Sequence, residues 1–188
     1  MPKEAKMNAT PPTSRYSTLS IALHWLMLLL FIAVYACIEL RELYPKGSDP
    51  REALKSWHFM LGLSVFVLVW LRLFARVTSA TPSIEPNPPG WQMVLAKLVH
   101  LALYGLMIVM PLLGWALLSA AGKPIPFFGL ELPALIAENK ETGKWIKEIH
   151  QTIGTIGYFL IGIHAVAALF HHYIVKDNTL VRMLPKRK

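Results

Sequence analysis

The chain has a single cysteine, Cys37, among 188 residues. It can therefore form no internal disulfide and cannot hold an iron–sulfur cluster by itself. It also has no Cys-x-x-Cys-His attachment site for a c-type haem. Cys37 reads as a small apolar packing residue. Carboxylates are scarce, with 11 Asp and Glu against 19 Lys and Arg, for a net charge of +8. Alternation of apolar and polar residues is missing, which argues against an outer-membrane barrel. No repeat or low-complexity tract stands out beyond the proline-rich stretch Pro82 to Gly90.

What the chain does have is apolar length. Hydrophobic residues make up 54% and the mean hydropathy is +0.44. Crossing the hydrocarbon core takes about 20 mostly apolar residues. Four stretches qualify: Leu19 to Ile38, Trp57 to Phe74, Trp91 to Ala121 and Ile149 to Val175. A helix satisfies its own backbone groups in lipid, so the expected fold is all-α, a four-helix transmembrane bundle without strands. The first stretch is too long for a signal peptide, and no small-residue cleavage site follows it. Pro111 is expected to bend the third helix.

Charge sets the expected orientation. With four spans, both termini and the middle loop share one side. That side carries eleven Lys and Arg, while the other holds eight cations and eight carboxylates. The positive-inside rule puts both termini in the cytoplasm. Basic residues there serve topology and contact with anionic lipid, and nucleic acid is not an expected partner.

Seven histidines remain to be explained, and most fall within or at the edges of the apolar runs. Ionisable groups in a membrane are costly and by default do a job facing the bundle interior. His150 and His164 are 14 residues apart, close to four turns and about 21 Å of rise, so both lie on one helix face. His24 enters at the depth of His164, and His58 at the depth of His150. Two haems stacked across the bilayer need ligands placed in this way, which pairs His24 with His164 and His58 with His150. Imidazole is a common axial ligand of haem iron. Gly62 and Gly154 each follow a ligand by four residues and leave room for a porphyrin or a neighbouring helix. Met107 and Trp115 read as core or lipid-facing filler. Zinc fits poorly, because the paired histidines are four turns apart and no carboxylate lies within the apolar runs.

The residues Arg15-Tyr16-Ser17, Ile21-Ala22-Leu23-His24-Trp25, Gly162-Ile163-His164-Ala165 and His171-His172-Tyr173, with the ending Lys176 to Pro185, resemble the bacterial di-haem cytochrome b561 family. The stretches from Gly162 onward look very like an enterobacterial member of that family. The resemblance runs from about Tyr16 to the C-terminus. It implies two non-covalent haem b groups on His24, His164, His58 and His150, with electrons passing from periplasmic superoxide to ubiquinone. It also implies an alternative, since related bundles serve as haem subunits linking a dehydrogenase or hydrogenase to the quinone pool. A third possibility is a haem-binding membrane protein without catalysis.

Further site residues are expected. Lys55 and Lys147 each precede an outer ligand by three residues and can attract superoxide or pair with haem propionates; otherwise they are snorkelling interfacial lysines. His100, His171 and Arg72 are expected to meet beside the inner haem as a quinone site, since imidazole can hydrogen-bond a quinone carbonyl and relay a proton. Otherwise His171 and His172 are interfacial residues beside a basic tail. The expected organisation is a disordered N-terminus over 1–14, the di-haem domain over 15–176 and a basic tail over 177–188. No obligate protein partner is expected.

Overall fold

The computed structural model describes residues 15–185. The expected N-terminal extension, 1–14, lies outside the described residues. Four long helices dominate: α1 Thr18–Leu40, α2 Asp49–Thr78, α3 Gly90–Ala120 and α4 Lys140–Phe170. All four are long and apolar enough to cross a membrane. The chain is thus a multi-pass membrane protein of all-α architecture.

Helices α2 and α4 begin well before the apolar runs they contain. Local capping explains this. Pro50 and two carboxylates occupy the first turn of α2, which suits a helix N-terminus. Asn139 caps α4 by accepting from the Thr142 amide at 2.9 Å, as short polar side chains do. These polar turns raise both helices above the hydrocarbon. Pro111 sits inside α3, which continues through it.

The helices pack α1 on α2, α2 on α3 and α3 on α4, while α1 and α4 have few close backbone approaches. The mid-bundle core is Met27, Val65, Val69 and Met107, from α1, α2 and α3. Side chains span the gap between α1 and α4. The Tyr35 hydroxyl donates to the Gly154 carbonyl at 2.9 Å, and that of Tyr158 donates to Glu39 at 2.8 Å. A Cβ at position 157 would collide with the Tyr35 hydroxyl and stand 3.3 Å from Leu106. Glycine there opens the notch that receives Tyr35.

One connection departs from expectation. The α3–α4 link is not strand-free: β1 Ile125–Phe127 pairs antiparallel with β2 Leu130–Leu132. Its two-residue turn, Phe128-Gly129, has positive φ at both positions, the mirror-image geometry that suits strand twist. Three-residue strands are too short to leave an alternation signal. Residues 177–185 fold back onto the bundle. Arg182 is buried and donates to the Pro82 carbonyl at 2.5 Å. The Trp25 indole donates to the Met183 carbonyl at 2.8 Å, and Arg15 donates to Leu184 and Pro185. Peptide groups so close to the bilayer need partners, and the N-terminal end of α1 and the α2–α3 linker supply them. Residues 186–188 lie outside the described residues.

The bundle thus has a terminal face, holding the described chain ends and the α2–α3 linker, and an opposite hairpin face.

Candidate haem and electron-transfer site

Helix α4 supplies one histidine to each half of the bundle. Its unbroken course over both positions makes His150 and His164 two levels of one face. Toward the terminal face, the His164 and His24 ring centroids are 6.1 Å apart. Toward the hairpin face, those of His58 and His150 are 6.3 Å apart. A metal–imidazole bond is about 2.0–2.1 Å and a ring nitrogen lies about 1.1 Å from its centroid, so two imidazoles on one iron have centroids about 6.3 Å apart. Both pairs meet that spacing. The planes cross at 66° and 73°, which is compatible with rings that share the axis through the metal. Among the described residues, no group of three or more His, Cys, Asp or Glu could hold a bare metal ion.

The hairpin-side pair is set up for a metal. His58 Nδ1–H donates to the Val34 carbonyl at 3.0 Å. That bond leaves Nε2 with a free lone pair, the usual way a protein orients a ligating imidazole. His150 Nδ1 is buried without a partner. Around both lies a cavity of about 810 Å³, within the range of ligand and cofactor pockets. Gly62 lines it with open space where a side chain would be. Gly114 lines it too, and a Cβ there would stand 3.4 Å from the His150 ring. These features fit a flat apolar cofactor held by His58 and His150.

The terminal-side group is built differently. Arg72 Nη2 donates to His24 Nδ1 at 2.9 Å, so the ring proton sits on Nε2. Ligation through Nε2 requires Arg72 to release Nδ1. Its other terminal nitrogen, Nη1, is buried without a partner. A buried guanidinium with an unused donor suits an anionic group such as a haem carboxylate. His100 joins from α3, its ring 5.3 Å from that of His164.

The remaining expected residues are placed unequally. Lys55 pairs with Glu52 at 2.6 Å, so its charge is locally offset. Lys147 lines the cavity mouth and makes no salt bridge among the described residues. His171 does not join the His100 and Arg72 group through any hydrogen bond. Its Nδ1 is 2.5 Å from Asp177 Oδ2, just past α4 in a π-helical turn over His171–Val175. Burial pushes the Asp177 carboxyl up, but hydrogen bonds from His171 and Thr179 outweigh it and hold it below the ordinary carboxylate range.

Sequence reasoning named only Lys55 and Lys147 of the rim. Arg41, Lys46, Arg51, Lys55, Lys123 and Lys147 line the cavity mouth with Glu39, Glu42 and Glu52. The hairpin face is neutral overall, yet the mouth has three more cations than carboxylates. Lys46 and Lys123 lie on loops far apart in sequence, so spacing gave no sign of them.

Comparison with known proteins gives the family. A family model described as prokaryotic cytochrome b561 matches residues 15–186. The chain is 46% identical to cytochrome b561 homolog 1 of Escherichia coli over 93% of its own length and 99% of the relative's. It is 39% identical to a protein named probable superoxide oxidase CybB from Yersinia pestis, over 93% and 98%. A cytochrome b562 of Cereibacter sphaeroides is 28% identical over 92% and 96%.

Proposed function

The chain belongs to the prokaryotic cytochrome b561 family, whose members are haem b electron-transfer proteins of the membrane, and we propose that it oxidises superoxide at the hairpin face and delivers the electrons to ubiquinone. Two haem b groups are assigned, one on His58 and His150 and one on His24 and His164. With one cysteine in the chain, both are held non-covalently. When bound, each haem would supply a one-electron iron couple, held by its two histidines. The terminal face, rich in Lys and Arg, is assigned to the cytoplasm of the bacterial inner membrane, and the hairpin face to the periplasm.

The observation that carries this reading is the cationic mouth over His58 and His150. Superoxide is a small anion, and clustered positive charge around a low-dielectric opening raises the encounter rate of anions. Lys46, Lys123 and Lys147 have no hydrogen-bonded carboxylate among the described residues, so they supply the attraction. The similarity to the Yersinia protein supports the same substrate. Two superoxide ions give two electrons and two O2, and one ubiquinone takes both electrons and two protons to become ubiquinol. His100, beside His164, is assigned to the quinone and its protons, with Arg72 offsetting negative charge. His171 is a weaker candidate because Asp177 already holds it.

The test uses the purified haem-loaded protein in lipid nanodiscs. A pulse of superoxide should reduce the haem absorbance bands within the mixing experiment, and added ubiquinone should reoxidise them. Haem that ignores superoxide but is reduced by a quinol analogue would indicate instead a subunit that serves a partner dehydrogenase.

A further inference from the structure

The β1–β2 hairpin carries apolar surface that the protein does not cover. Phe128 is 56% exposed and Leu130 is 65% exposed. Phe128 also holds φ at +46°, a region that is costly for a bulky side chain. Asn, Asp or Gly would make the same turn more easily. Neither the turn nor the protein core therefore accounts for a phenylalanine here.

Depth gives the missing reason. The Phe128 amide donates to Met60 Sδ at 3.4 Å, and its ring meets Trp57 edge-on at 6.4 Å. Trp57 opens the apolar run of α2, and Met60 lies one turn farther in. The turn of the hairpin therefore reaches down to the edge of the hydrocarbon. Trp57 is itself half exposed on the outside of α2, in the position of an interfacial aromatic. The root of the hairpin is held by the protein. Ile125 is buried against Leu63 and Leu118 and lines the cavity above His58 and His150.

We infer that the hairpin is an interfacial anchor. Phe128 and Leu130 insert among the lipids of the leaflet on the hairpin face, continuous with the lipid-facing surface at Trp57, while Ile125 closes the wall of the cavity. The lipid surface then fixes the height of Lys123, two residues before Ile125, over the mouth.

The lone cysteine makes the test clean. In the full-length haem-loaded protein with Cys37→Ala, Phe128→Cys carries a nitroxide spin label in lipid nanodiscs. Its collisions with oxygen, which concentrates in lipid, are compared with those of a water-soluble nickel chelate. Asp49→Cys provides the water reference and lipid-facing Val67→Cys the membrane reference. Oxygen access above nickel access at position 128, as at 67, is the expected result. Nickel access above oxygen access, as at 49, would place the turn in water and overturn the inference. If Phe128→Cys does not bind haem, Leu130→Cys on the same hairpin gives the decision by the same criterion.

Discussion

His58 Nδ1 donates to the Val34 carbonyl at 3.0 Å, tying α2 to α1 on the hairpin side of the bundle. The bond sets the tautomer and aims Nε2 toward His150. On the other side of the bundle, Arg72 occupies Nδ1 of His24 at 2.9 Å. The two histidine pairs therefore have near-equal spacing but different surroundings, and they should respond differently to substitution.

Haem content should divide by pair. His58→Ala or His150→Ala should remove the haem of the hairpin side and keep the other, and His24→Ala or His164→Ala should do the converse. A pyridine haemochrome assay should read about half the wild-type haem per protein in each case. Full haem retention in His164→Ala would disprove the pairing.

Charge at the mouth should act on rate. Lys147 has no salt bridge among the described residues, whereas Lys55 is paired with Glu52. Lys147→Gln is expected to slow superoxide-driven haem reduction about two- to threefold at low salt, a modest share of the steering a whole charged cleft can supply. The difference should shrink as salt shortens the screening length toward about 8 Å. Lys55→Gln should change the rate less. Stopped-flow rates across a salt series check both statements.

Quinone delivery should depend on His100. Its ring is 5.3 Å from that of His164, but it is left over once the four ligands are assigned. His100→Leu should keep both haems and keep their reduction by superoxide, while reoxidation by ubiquinone slows about a hundredfold, the low end of what positioned proton transfer supplies. Normal reoxidation in this variant would move the quinone site away from the terminal-side pair.

Packing between α1 and α4 should hinge on Gly157. Its notch admits the Tyr35 hydroxyl, which a Cβ would strike. Gly157→Ala should lower thermal stability by about 1–3 kcal/mol, as overpacking does. Adding Tyr35→Phe removes the colliding oxygen and should recover part of the loss, so that the two changes are non-additive. Independent, additive losses would show that the notch and the tyrosine do not interact.

Much of the architecture was readable from the residues because the physics behind it is local. Apolar runs long enough to span a bilayer dictate helices wherever they occur. The rise and pitch of one helix fix the relation of His150 to His164 before any other helix is considered. Depth matching extended this to His24 and His58, since each helix enters the membrane at a known end.

The rest depends on contacts between distant parts of the chain. Tyr35 meets Gly154 across 119 residues, and Arg15 meets Leu184 across 169. No periodicity along one segment encodes such a meeting. His171 shows the limit most clearly: it follows His164 by two regular helical turns, but its side chain is taken by Asp177, which lies beyond the end of α4. Sequence alone determined a membrane bundle with two levels of paired histidines. Only the tertiary structure decided which cations gather at the mouth, which histidine stays beside His164, and that a short hairpin walls the cavity through Ile125. Hydropathy and helix pitch act residue by residue, whereas these features exist only once separate helices are packed together.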